Sequence, residues 1–264
     1  MPSGKVGAVY HALDPGLKWG FEDGGSDDAC EAMRVLGLDT ATSGCSAALW
    51  DDGAVTVRRR EPMARGQAEA LVPLAQAALA EAGCAFDALD RIAVTVGPGA
   101  FTGLRIALAA ARGFALAAGL PVVGVTSFDA IAHGLPEAER DGRALLVAVD
   151  SRRSEPFLQL FHPDLTPFGE PAMLEPAAVP GWLDGLLSGD AGTGAAAEPL
   201  LVAGDGAAAL RPLLEGRADT VFAEGPGTPD AAVVAALGAR REVGLPAQPF
   251  YLRPPDVSLP RKTA

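Results

Sequence analysis

The chain has 264 residues, 49% of them hydrophobic and 20% charged, which is enough apolar matter for a sizeable core and excludes a largely disordered protein. A count of 33 acidic against 21 basic residues leaves a net charge of −12, a balance that argues against an unaided nucleic-acid binder. The three cysteines lack metal-site or redox spacing, the three histidines are scattered, and no uninterrupted apolar run is long enough to suggest a membrane span; a reducing cytoplasm is the simplest home.

Residues 1–32 show no regular apolar period and no basic start before an apolar core. They are expected to form a disordered or loosely attached extension rather than a secretory signal, with Met33 as a candidate start. Arg34 to Asp39 reads as a strand, and Cys45 to Trp50 as a second. Asp51-Asp52-Gly53 is a hairpin turn, and Ala54 to Arg60 a third strand. Gln67 to Ala82 carries Leu71, Leu74, Ala75, Ala78 and Leu79 at helical spacing, with Pro73 marking a kink or a short first turn.

Ile92 to Val96 is β-branched and runs through Gly97-Pro98-Gly99 into an alanine-rich helix, Leu104 to Ala118, for which Thr102 or Gly103 supplies the start. Val122 to Val125 is another strand, and Thr126 or Ser127 caps a short helix from Phe128 to Gly134. A polar boundary, Leu135 to Gly142, follows. Leu145 to Asp150 and Pro156 to Phe161 repeat the order strand, acidic turn, strand, which hints at two related halves. Residues 163–180 are proline-rich and expected to be irregular, Trp182 to Leu187 a short helix, and Asp190 to Pro199 a loop. Leu200 to Ala203 is a buried strand before a helix over Ala208 to Leu214. Val221 to Ala223 is extended, and Asp230 caps a helix over Ala231 to Glu242. The aromatic tail around Phe250 and Tyr251 pins itself to the body, with Arg253 toward a local carboxylate.

Asp39 sits at a strand end beside Thr40, Thr42 and Ser43. Two readings stand: a carboxylate positioning a metal or water while the turn amides meet phosphate, or a turn whose polar groups satisfy local backbone. The turn Gly204-Asp205-Gly206 has the same two readings. Neither is a P-loop, and neither has a neighbouring lysine.

The runs Leu36-Gly37-Leu38-Asp39-Thr40-Ala41-Thr42 and Ser46-Ala47-Ala48-Leu49, then Gly97-Pro98-Gly99-Ala100-Phe101-Thr102-Gly103-Leu104-Arg105, Gly124-Val125-Thr126-Ser127 and Tyr251-Leu252-Arg253-Pro254, resemble the bacterial TsaB family. The resemblance covers roughly residues 33–255. It implies an α/β actin-like ATPase fold, with an extension at 1–32, a ribonuclease-H-like lobe at 33–138 and a smaller second lobe and tail at 139–264. The helix 230–242 is expected to return to the first lobe. The catalytic relative, TsaD, carries a metal-binding histidine pair on a helix. Here the matching helix begins Arg65-Gly66-Gln67-Ala68-Glu69 and has no histidine, and Gln67 is no substitute for imidazole.

By this resemblance the chain is a non-catalytic scaffold for transfer of threonylcarbamoyl from its adenylate to adenosine 37 of tRNA. The implied partners are a TsaD-like catalytic subunit and a TsaE-like ATPase, with tRNA reached only through the complex. A homodimer is expected in isolation, and no membrane partner. No cofactor or metal is required by this chain. Asp39, Thr40, Thr42, Ser43, Gly204, Asp205 and Gly206 mark a vestigial site where ATP or ADP would bind weakly, ATP and a metal being expected on the partners. The interface expected is Leu71, Leu74 and Leu79 on one helix with Gly103, Arg105, Ala107, Ala110, Ala111 and Arg112 on the next. Rival readings are a nucleotide-binding actin-like kinase or hydrolase and a stand-alone homodimeric regulator.

Overall fold

Near-continuous apolar runs, buried on both faces, form the central strands of two sheets in succession. The computed structural model describes residues 33–189, 199–225, 227–244 and 247–253. The expected extension at 1–32 and most of the expected loop at 190–199 lie outside them. The first unit runs β1 (Arg34–Asp39), β2 (Gly44–Asp51), β3 (Ala54–Pro62), α1 (Gln67–Glu81), β4 (Arg91–Gly97), α2 (Phe101–Ala118), β5 (Val122–Thr126) and α3 (Ser127–Gly134). The short α4 (Glu137–Arg140) leads into β6 (Ala144–Val149), β7 (Phe157–Phe161), β8 (Pro167–Met173), α5 (Val179–Gly189), β9 (Leu200–Ala203), α6 (Ala207–Leu214), β10 (Thr220–Phe222) and α7 (Ala231–Arg240).

The strand order of the first sheet is β3-β2-β1-β4-β5, and that of the second, from its own edge, is β8-β7-β6-β9-β10. In each, the first three strands pair antiparallel and the last two join in parallel. The repeat hinted at by two strand–acidic turn–strand runs is therefore a repeat of topology. It is the actin-like ATPase arrangement of two ribonuclease-H-like lobes, the second reduced by the short β9 and β10.

Each sheet is covered on both faces. On the first, Leu71, Leu74, Ala78, Ala107, Leu108 and Ala111 of α1 and α2 pack against Leu36, Leu38, Ile92 and Val94. The other face takes α7, whose Val233, Val234, Ala235 and Leu237 meet Val35, Ala93 and Val125. That helix lies unusually close: a side chain at Gly37 would strike the Ala231 carbonyl oxygen. Asp230 caps it, accepting from the Ala232 N–H at 2.9 Å. The same carboxylate accepts a forked pair from Arg58 on β3, Nε at 3.0 Å and Nη2 at 2.5 Å, and Arg60 donates to the Thr228 hydroxyl. On the second sheet, Phe128, Ile131 and Ala132 of α3, with Phe250 and Leu252, cover one face, and α5 and α6 cover the other.

Three local expectations are corrected. Helix α1 runs through Pro73 without interruption, and its start is Gly66 in a left-handed conformation. Helix α2 begins at Phe101 after Ala100, with no side-chain cap from Thr102. Residues 163–180 contain β8, an edge strand held by β7 alone, where Pro167 and Pro171 are tolerated because one side of an edge strand needs no donor. Thr126 is the cap of α3, its hydroxyl accepting the Asp129 N–H. The tail is anchored: the Phe250 N–H donates to the Val96 carbonyl at 2.7 Å, and Arg253 pairs with Glu155 at 2.8 Å.

Candidate functional site

The turn after β1 is locked into the start of α2. Thr40 Oγ1 donates to the Gly103 carbonyl at 2.7 Å, and the Ala100 N–H donates to the Ala41 carbonyl at 2.8 Å. Asp39 Oδ1 accepts the Ala41 N–H at 3.1 Å. Burial pushes the Asp39 carboxyl up to about 6, against the pull of that amide toward the charged form. Asp39 and Thr40 are therefore enclosed structural members of a strand-to-helix joint. Thr42 is also buried, whereas Ser43 is exposed.

The turn after β9 is likewise spoken for. Asp205 Oδ1 accepts the Asp150 N–H at 2.8 Å, and the Gly206 N–H donates to the Ala148 carbonyl at 3.0 Å. Gly204 has φ 109°, and a side chain there would strike the Ala148 carbonyl oxygen. The backbone of Gly227 lies directly on Gly204. Burial raises the Asp205 carboxyl to about 6. Gly204, Asp205 and Gly206 thus tie β9 to β6. Of the seven residues expected as a weak nucleotide site, only Thr42 and Ser43 line the cavity described next.

That cavity, about 630 Å³, lies where the starts of α1 and α2 converge on the β1–β2 turn. Its walls are Thr42, Ser43, residues 64–69, Ala100, Thr102, Gly103 and Ile106, and Arg152 reaches it from the turn between β6 and β7. Neither helix start has a side-chain cap. Arg152 is also paired with Asp150 at 3.2 Å.

The expected interface residues divide. Leu71, Leu74, Leu79, Gly103, Ala107 and Ala111 are buried within the chain, so they face their own sheet and the expectation that they meet a partner is corrected. Periodicity marks a face without saying which way it turns. Arg105 and Arg112 hold the tail: Arg112 Nη2 donates to the Ala247 carbonyl at 2.7 Å, and Arg105 Nε donates to the Tyr251 hydroxyl at 3.3 Å. Arg105 also lies 3.7 Å over the Phe101 ring, which stacks on Tyr251 at 5.5 Å. Ala110 is half-buried.

What the two helices turn outward is another set. Ala109, Gly113, Leu116 and Ala117 are exposed on α2, and Ala68, Val72, Gln76 and Ala80 on α1. The small residues 109, 113 and 117 recur every fourth position, a signal present in the sequence but overshadowed by an equally small inner face. By length and composition alone α2 could cross a membrane, yet Leu104, Ala107, Leu108 and Ala111 are buried within this protein.

Residues 61–170 match the family model described as TsaD, tRNA N6-adenosine threonylcarbamoyltransferase. The chain is 38% identical over 123 residues to the tRNA threonylcarbamoyladenosine biosynthesis protein TsaB of Escherichia coli, covering 47% of this chain and 52% of that protein. It spans about half the length of the curated relatives it matches. Among solved structures, a Pseudomonas aeruginosa protein described as similar to the peptidase YeaZ superposes with TM-score 0.68 at 30% identity, over 84% of this chain and 100% of that one. YeaZ of the same organism superposes with TM-score 0.66 at 28% identity, over 83% of this chain and 100% of its own. With sequence and whole-chain structural likeness in agreement, the chain belongs to the TsaB (YeaZ) family.

Proposed function

We propose that this chain is an accessory, non-catalytic subunit in the synthesis of threonylcarbamoyladenosine in tRNA. In this reading it holds a TsaD-like transferase in its active arrangement, a TsaE-like ATPase joins the pair, and tRNA meets the chain only through the assembly. The observation that carries it is the outward face of α1 and α2: Val72 and Leu116 stand exposed, Leu116 at 87%, beside the small residues Ala109, Gly113 and Ala117. Small side chains let a second helix approach closely, and exposed apolar ones give it something to cover. The likeness to the E. coli tRNA threonylcarbamoyladenosine biosynthesis protein supports the pathway, and the transferase-model match includes both helices.

The test is reconstitution with a TsaD-like subunit, a TsaE-like ATPase, tRNA and threonylcarbamoyl-adenylate. The chain alone is expected to be inactive, the full mixture to modify tRNA, and the mixture lacking this chain to fail. Transfer by the purified chain alone, or undiminished transfer without it, would overturn the reading.

A further inference from the structure

The tail crosses from one lobe to the other. Arg112 of α2 donates to the Ala247 carbonyl at 2.7 Å, and Ala247 is buried in the core that α1 and α2 form on the first sheet. The Phe250 N–H donates to the Val96 carbonyl at 2.7 Å, and a side chain on Gly97 would strike the Phe250 carbonyl oxygen. Beyond that point the contacts belong to the second lobe. Leu252 joins the core between α3 and the second sheet, and Arg253 pairs with Glu155 of the β6–β7 turn at 2.8 Å. The Phe250 ring is shared by both cores.

Side chains alternate along this stretch, as in any extended chain. Phe250 and Leu252 turn inward, and Tyr251 between them is 41% exposed. Its ring stacks on Phe101, itself 49% exposed, and Arg105 joins the two, lying over the Phe101 ring and donating to the Tyr251 hydroxyl. Phe101, Arg105, Ala109 and Gly113 recur every fourth residue of α2 and all are exposed, so the stack is the N-terminal end of that helix's outward stripe. A single exposed stack is weak. This one persists because the chain on either side is tied, at Phe250 by a main-chain bond and at Arg253 by an ion pair whose side chains are 22% and 27% exposed.

We propose that residues 247–253 are a strap that transmits the position of the second lobe to the outer face of α2, with the Arg253–Glu155 pair as its latch. Latched, the strap holds Tyr251 on Phe101 and gives the α2 stripe a rigid aromatic end. Unlatched, Tyr251 loses the anchor beyond it, Phe101 is uncovered and Arg105 swings free. The latch and the stack are thus two ends of one element that both lobes bias. The strap is a property of this chain alone. Its effect on a partner rests on the reading that α2 faces a TsaD-like transferase.

The experiment compares the full chain with Glu155→Ala and with the reversed pair Glu155→Arg/Arg253→Glu by NMR, following the Phe101 and Arg105 amides and the Arg105 Nε–H. Glu155→Ala is expected to shift these signals and to raise amide exchange at Tyr251 and Leu252 about tenfold, with an unchanged melting temperature as the check on folding. The reversed pair should restore both, and added salt should move the parent toward the alanine variant. Unmoved Phe101 and Arg105 signals in Glu155→Ala, or a reversed pair that behaves like the alanine variant, would overturn the strap. Binding of a TsaD-like subunit is then measured on the same proteins. Glu155→Ala should weaken it about fivefold from the other lobe. Undiminished affinity despite shifted signals would overturn the effect on the partner, whereas no binding by the parent would overturn the proposed function and leave the strap to the NMR result.

Discussion

Thr40 and Gly103 hold each other from both sides. The threonine hydroxyl donates to the glycine carbonyl at 2.7 Å, and the threonine carbonyl oxygen occupies the place where a side chain on Gly103 would begin. The β1–β2 turn and the first turn of α2 therefore approach to backbone contact, which only glycine permits. Gly103→Ala is expected to lower stability by about 1–3 kcal/mol. Urea unfolding of the two proteins checks it, and an unchanged midpoint would show that the joint yields freely.

Two alanines on α2, two positions apart, should answer oppositely to enlargement. Ala107 is fully buried against the first sheet, so Ala107→Trp overpacks the core and unfolds or strongly destabilises the chain. Ala109 is exposed, so Ala109→Trp should change stability by no more than about 0.5 kcal/mol. It should nevertheless abolish co-elution with a TsaD-like subunit. A tryptophan at 109 that leaves the complex intact would move the contact surface elsewhere.

Much of the architecture is legible in the residues. The apolar run within Arg34 to Asp39, the Asp52-Gly53 turn, the β-branched run before Gly97 and the Asp230 cap each specify a local conformation, and each is found. Strand β8 is not legible, because Pro167 and Pro171 read as breakers unless the strand is known to be an edge. The outward face of α2 is obscured for a different reason. That helix carries small residues all round, so spacing alone cannot separate the side against the sheet from the side against solvent. The roles of Arg105 and Arg112 depend on a tail more than 130 residues away, a relationship that no local pattern encodes.

Asp39 makes stability depend on pH with an unusual sign. Its carboxyl titrates at an ordinary 3.8 when unfolded and at about 6 in the fold. Between those values the folded state holds more protons, so stability falls as pH rises through the window. Asp39→Asn keeps an oxygen for the Ala41 amide and cannot ionise. At pH about 7 the variant is expected to be more stable than the parent by about 1–3 kcal/mol, and at pH about 4 the difference should vanish. Asp205 titrates in the same window, so the variant retains part of the slope. Urea midpoints across pH decide it, and parallel profiles for parent and variant would contradict the enclosure of Asp39.

Asp230 serves two elements with one carboxylate, capping α7 and receiving the fork of Arg58. Its side chain is 9% exposed. Asp230→Ala removes the cap and strands a half-buried guanidinium, for an expected loss of about 2–4 kcal/mol. Arg58→Ala should cost less, because the cap survives. Equal losses in the two variants, measured by chemical unfolding, would show that the ion pair outweighs the cap.

Helix α7 is made after every strand of the second lobe and yet forms one wall of the first. Val35, Ala93 and Val125 are buried against its Val233, Val234, Ala235 and Leu237. During synthesis on the ribosome, the lobe that emerges earliest must wait with a greasy flank until residues near 240 arrive. The usual order, in which an early domain matures before the next is translated, is not open to this chain, and the two lobes must reach their native state together.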